Sequence, residues 1–346
     1  MGRRTLARLA VLSLAGFAAP TEGATFAQGL VPTIVAAASA AIWAPAKARA
    51  QTPLQAPDGA PPSPDAGSSS ETPDNGVGSL ALSHDAASRL TVSVMIDGKG
   101  PFDFVIDTGS DRTVISRELA LRLGLPKGPA VTLHGSAGVE QVETAVISRL
   151  SIGKRVVESI DAPVLAAANL GADGMLGIDS LRDEHVVMDF KNKTLSATPS
   201  SSVDLDHLTV IVRGRSRFGQ LILVDAQVRG RNVYVIVDSG AQNTIGNLAL
   251  QRLLSSKGGG LPGEQALAEE ISVTGGRSTA EIQNVAEMHI GALTIRNMRL
   301  AFADLHTFDR YGLSNKPAML LGMDVLSLCD RVTVDFDRLE ATFTLR

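Results

Sequence analysis

The sequence predicts an all-β fold, mainly β with short helices, arranged as two similar lobes with a site between them. From Leu80 onward, short runs rich in Val, Ile, Leu and Thr alternate with Gly, Asn and Asp turns. Sustained helical periodicity is scarce, and four sequence landmarks recur in the same order in the two halves of the chain.

Residues 1–50 are a different material from the rest. Arg3 and Arg4 precede an apolar run from Leu6 to Ala19, and a second run from Leu30 to Pro45 leads into Ala48-Arg49-Ala50, a small-x-small cleavage pattern. The expectation is an export signal cut after Ala50, which places the protein in the periplasm or outside the cell. If retained, the segment is a membrane anchor, although each run is shorter than the roughly 20 residues of a span. From Gln51 to Gly78, Pro, Ser, Gly, Asp and Ala dominate. With hardly a bulky apolar side chain, this stretch cannot offset the entropy of ordering and reads as a flexible linker or a removable prosegment. The lobes then occupy 79–200 and 201–346, divided where Pro, Ser and Asp cluster between Thr198 and Asp206.

Each lobe is expected to open with an apolar strand that runs into an acid. Asp107-Thr108-Gly109-Ser110 behind Phe102 to Ile106 answers Asp238-Ser239-Gly240-Ala241 behind Val233 to Val237. A short helix follows in both. Arg117 to Leu123 has Ser116 as N-cap and Gly124 just past its end, and Leu248 to Leu254 stands behind Asn247. Further on, Leu150 to Gly153 answers Met288 to Gly291, and Met175-Leu176-Gly177 answers Leu320-Leu321-Gly322. Met188-Asp189-Phe190 answers Val334-Asp335-Phe336. The second copy is longer, the excess falling in the Gly-rich Ser255 to Gly263 and in a loop from Asp304 to Lys316.

Composition narrows the functional classes. A net charge of −4 gives no field that favours nucleic acid or an anionic membrane surface. The single cysteine, Cys329, cannot form an intramolecular disulfide and reads as a small buried hydrophobe. Six histidines lie scattered with no pair at ligand spacing, so neither a metal site nor a cofactor is expected. His134 is the one placed near a substrate, and it reads as a solvated flap residue. The basic cluster from Arg213 to Arg217 has no interleaved aromatic residue and reads as a solvated hairpin rather than a nucleic-acid contact.

The repeat itself carries the chemistry. A strand of apolar residues ending in Asp-Thr/Ser-Gly sets a carboxylate at the lip of a hydrophobic core. Two such acids brought face to face cannot both ionise cheaply, so they share a proton, one serving as base toward water and the other as acid. Gly109 and Gly240 are read as permitting a tight turn, and the Thr108 and Ser239 hydroxyls can bond across the junction. Ser110 is expected to donate to Asp107 and favour its ionised form, while Ala241 offers Asp238 nothing, leaving the proton on Asp238. Asp179 and Asp324 are read as caps of the short helix after each Gly.

These motifs, from about residue 80 to 346, resemble the aspartic peptidases, specifically retropepsin-like or pepsin-like acid-protease lobes fused into one chain. The resemblance implies catalytic roles for Asp107 and Asp238, an intervening cleft, an extended polypeptide substrate, and β-hairpin flaps. The flaps fall at Thr132 to Ala145 and Ser272 to Gln283, with Gly135, Gly138, Gly275 and Gly276 near the tips. Neither hairpin holds the Tyr of pepsin-type flaps, which favours the retropepsin-like variety with two mobile flaps. Retropepsins often carry Arg after the Gly that Gly177 matches; here Ile178 and Met323 stand there, so the resemblance supplies Asp111 with no partner. The expected function is an exported aspartic endopeptidase acting as a monomer that pairs its own lobes; the alternative is a peptide-binding module of the same fold.

Overall fold

The computed structural model describes residues 6–8, 33–36, 78–84, 89–181, 184–199, 209–217, 220–255, 266–272 and 274–346. Most of the segment read as an export signal, and all of the linker before residue 78, lie outside the described residues. Described residues belong to a compact unit covering 1–37 and 75–346. Leu6–Arg8 and Thr33–Ala36 pair with Ala266–Ile271 and Leu293–Phe302. Among the described residues no helix is long and apolar enough to cross a membrane.

The fold is mainly β, with only short helices, in two lobes. In the first, Leu90–Ile96 buries Leu90, Val92, Val94 and Ile96 with Ser93 exposed between them, then reverses through Asp97 and Gly98. Both turn residues have positive φ, 49° and 75°, which matches the right-handed twist of the flanking strands. Lys99–Ile106 returns from this turn, its exposed start giving way to a fully buried end at Phe104, Val105 and Ile106. Gly174–Leu176 lies parallel to it, and the Asp107 N–H donates to the Leu176 carbonyl at 3.0 Å.

The second lobe repeats this arrangement. Ala318–Leu321 runs parallel to Tyr234–Val237, and the Asp238 N–H donates to the Leu321 carbonyl at 3.1 Å. The capped helices follow as expected. Ser116 Oγ accepts from Leu119 N–H, Gly124 ends the first helix at φ 66°, and Asn247 Oδ1 accepts from Leu250 N–H. The second helix runs one residue longer than its sequence pattern, to Ser255. Two further short helices, Ala167–Leu170 and His306–Arg310, follow the last long strand of each lobe. His306–Arg310 occupies part of the stretch expected to be a plain loop.

A third, antiparallel sheet joins the lobes. Its order is Gly78–Ala81, Thr194–Pro199, Glu184–Asp189, Arg331–Asp335, Glu340–Thr344 and Thr209–Arg217, three strands from each half. At its centre Val187 faces Thr333, two residues that occupy equivalent places in the repeat. That register puts a twofold relation between the halves at the seam. Met188, Val186, Val332 and Val334 are buried there in a core shared by both lobes. The buried Cys329 belongs to the same core, and burial pushes its thiol up to about 12.

Asp189 ties the seam at its rim. It accepts from Asn192 N–H at 2.8 Å and Nδ2 at 3.0 Å, and Arg331 of the other half donates to it at 3.0 Å. Asp189→Ala leaves these donors without their acceptor and is expected to cost about 1–3 kcal/mol, read as a lower midpoint in urea unfolding with an unchanged slope.

Candidate active site

The loops after the two acid-terminated strands meet face to face. Thr108 N–H donates to Ser239 Oγ at 3.1 Å, and Ser239 N–H donates to Thr108 Oγ1 at 3.0 Å. Each hydroxyl then donates onward across the junction, Thr108 Oγ1 to the Val237 carbonyl at 3.0 Å and Ser239 Oγ to the Ile106 carbonyl at 2.9 Å. All four groups are buried, so every donor in this crossing has its acceptor and no water is needed.

This crossing brings Asp107 and Asp238 together, both fully buried. The expected tight turns form, with Ser110 and Ala241 N–H donating to the Asp107 and Asp238 carbonyls at 3.3 and 3.2 Å, but neither Gly109 nor Gly240 has a positive φ, so the need for glycine lies elsewhere. A Cβ on Gly109 would lie 2.6 Å from Asp238 Oδ1, and one on Gly240 would lie 2.5 Å from Asp107 Oδ1. Each glycine is the floor on which the opposite lobe's carboxylate rests.

The hydrogen bonds around the pair also correct the role assigned to Ser110. Its Oγ donates to the Arg112 carbonyl at 2.8 Å and does not serve Asp107. Asp107 Oδ1 instead accepts from Gly109 N–H at 2.7 Å. Asp238 Oδ1 accepts from Gly240 N–H at 3.1 Å and Ala241 N–H at 3.0 Å, so the backbone of Ala241 gives what its side chain cannot. Burial, followed by the charge of Asp107, nevertheless holds the Asp238 carboxyl well above the usual range. Two buried carboxyls this close cannot both ionise cheaply, so they titrate as a pair that shares one proton.

Asp179 and Asp324 are braces as well as members of their short helices. Asp179 Oδ1 accepts from Thr113 N–H and Oγ1, at 2.8 and 2.7 Å, and Asp324 Oδ1 accepts from Thr244 Oγ1 at 2.7 Å. Thr113 and Thr244 in turn accept from Gly177 and Gly322 N–H, which locks the Met175-Leu176-Gly177 and Leu320-Leu321-Gly322 elements against the acid loops. Thr113 and Thr244 lie six residues after Asp107 and Asp238, a repeat visible in the sequence. Burial pushes Asp324 up to about 6, and Asp179 also upward, against the hydrogen bonds from the threonines.

Asp111 finds its partners in the other lobe. Arg310 Nη2 donates to Asp111 Oδ2, and the buried Gln220 donates to Oδ1 at 3.2 Å. A cavity of about 80 Å³ opens beside this ion pair, between Gly109–Arg112, the strand Thr132–Gly135, and His306 to Tyr311. Burial and the charge of Asp111 push the Tyr311 phenol upward, so it stays protonated.

Hairpins form at both stretches read as flaps, the second beginning earlier than Ser272. Lys127–Gly135 turns into Gly138–Ile152 with Gly135 facing Gly138, and Ala266–Ile271 pairs with Arg277–Ile290 around a tip that includes Gly275 and Gly276. The tips touch: Cβ atoms on Gly135 and Gly276 would meet Ser272 Oγ at 2.9 Å and Ala137 Cβ at 2.6 Å. His134 keeps part of its surface in solvent, as expected of a flap residue, and also stacks on His306 of the second lobe. Arg213 to Arg217 form an exposed strand of a hairpin, paired with Gln220–Leu223. Among the described residues no cluster of His, Cys, Asp or Glu could hold a metal ion.

Two substitutions test this geometry. Gly240→Ala drives a methyl group into Asp107 and is expected to lower the melting temperature by several degrees, measured by calorimetry. For Asp324, a folded-state pKa above the ordinary value means stability falls as pH rises from about 4 to about 6, by roughly 3 kcal/mol. Asp324→Asn keeps an acceptor for Thr244 and should remove that share of the pH dependence in denaturant titrations across the window.

A family model described as aspartyl protease matches residues 92–180 and 224–325, more than half of the chain and one segment in each lobe. No curated protein matches the chain.

Proposed function

This chain belongs to the aspartyl protease family, and on that premise we propose that it is an endopeptidase that cleaves peptide bonds with water activated between Asp107 and Asp238. The observation that carries the reading is the juxtaposition of two fully buried carboxylates, each resting on the glycine of the other lobe. A peptide-binding module has no use for two acids forced to share a proton at a cost in burial.

In this mechanism Asp107, ionised, takes a proton from water while the oxygen attacks the peptide carbonyl carbon. Asp238 gives its proton to the carbonyl oxygen, which yields a neutral tetrahedral diol. Asp107 then passes its proton to the amide nitrogen, a diol hydroxyl returns its proton to Asp238, and the C–N bond breaks. The two acids end as they began. Thr108 and Ser239 hold the loops in place, and Gly109 and Gly240 admit the carboxylates. The flaps add backbone hydrogen bonds to an extended substrate in the manner of an added strand. The chain acts as a monomer, supported by a joining sheet made from both halves of one chain. It works in the periplasm or outside the cell, supported by the apolar runs and Ala48-Arg49-Ala50 in the first fifty residues.

Activity is expected only while the pair holds a single proton, which gives a bell-shaped dependence of kcat/KM on pH. Asp107→Asn and Asp238→Asn should each reduce cleavage of a peptide library by on the order of 10³-fold or more. Equal cleavage by the native chain and both variants would assign the activity to a contaminant, and binding without cleavage by the native chain would favour the binding module.

A further inference from the structure

The first flap is seated on the opposite lobe by a contact outside the acid pair. His134 Nδ1 lies 3.0 Å from His306 Nε2, and the two rings stack with centroids 5.3 Å apart and planes 12° from parallel. His306 N–H donates to the carbonyl of Ser136 at the flap turn at 2.8 Å, and Ser136 is fully buried. Among the described residues the second flap shows no counterpart of this pair. A Cβ on Gly275 there would lie 3.3 Å from Asn169 Nδ2, on the matching short helix of the first lobe.

We propose that His134 and His306 are positioning residues that seat the first flap over Asp107 and Asp238 and release it when both imidazoles are protonated. The inference rests on the peptidase reading above. One hydrogen bond between two imidazoles needs a donor nitrogen and an acceptor nitrogen. With no proton or one proton added to the pair, an acceptor remains; with two, the acceptor is lost and two stacked cations repel.

The groups acting on His134 set the direction. Burial, then Arg310 from the same helix as His306, then His306 itself hold His134 below the ordinary histidine value, against Asp111, which raises it. On the flap strand opposite, His134 faces Val139, and the neighbouring Leu133 faces Glu140. A flap that lifts away returns His134 to an ordinary pKa of about 6.5. The seated form thus binds protons less readily than the open form. Its stability is full above about pH 6.5 and falls progressively below it.

The test follows flap opening and catalysis separately. Hydrogen exchange of peptides covering residues 130–140, corrected for intrinsic pH dependence, is compared at pH 7.5 and pH 5 for the native chain, His306→Gln and His306→Ala. Native flap exchange should quicken about five- to tenfold on acidification. His306→Gln, which retains a donor and an acceptor but does not titrate, should exchange slowly at both pH values, and His306→Ala quickly at both. With a peptide substrate, His306→Ala should raise KM about five- to tenfold at pH 7.5 and change kcat less, whereas His306→Gln should restore KM to within about twofold and abolish its rise toward pH 5. Native exchange that ignores pH, or an acid step that persists in His306→Gln, overturns the proposal. A native chain that cleaves nothing yet shows the exchange step, lost in His306→Gln, supports the seat and overturns the peptidase reading.

Discussion

Two hydroxyl-bearing loops gripping each other from opposite lobes are the constraint on which the rest of the structure depends. Thr108 and Ser239 satisfy each other's backbone N–H and then reach the strand of the other half, a set of buried bonds in which each member needs the rest. Only this closure brings two acids into a space free of bulk water. The carboxylates fit because the residues beneath them have no side chain, so identity at Gly109 and Gly240 is dictated across the lobe boundary rather than along the chain.

Around that symmetric grip the two halves diverge, and the divergence gives the cleft its sides. Asp111 pairs with Arg310 and Gln220, whereas the equivalent residue of the second lobe is Gln242. Ser110 supports its own loop through Arg112, while the buried Ala241 serves the second acid through its backbone N–H. The cavity therefore lies on one flank of the acid pair, beside the first flap.

Much of this was legible in the chain because it is written locally and twice. The acid-terminated strands, the capped helices and the Met-Leu-Gly and Leu-Leu-Gly elements declare themselves by residue order, and the repeat turned weak motifs into a bilobed fold. Pairings between distant residues were not legible. His134 and His306 are 172 positions apart and Asp111 and Arg310 are 199 apart, with no periodicity to connect them. The same distance hid the reason for the glycines, since the atom that excludes a methyl group belongs to the other half. Ser110 was misread because adjacency in sequence to an acid does not fix the direction of a hydroxyl, and here a carbonyl two residues on captured it.

The sheet that joins the lobes also orders events in time. Its first half can form once Gly78–Ala81, Glu184–Asp189 and Thr194–Pro199 have been synthesised, but Glu184–Asp189 then remains an open edge until Arg331–Asp335 arrives. Thr209–Arg217, although made earlier, waits for Glu340–Thr344 to bridge it to the seam. The seam between the two acid-bearing lobes is thus complete only once Arg331–Asp335 and Glu340–Thr344 have both been made, so the halves can fold separately before they are sewn together.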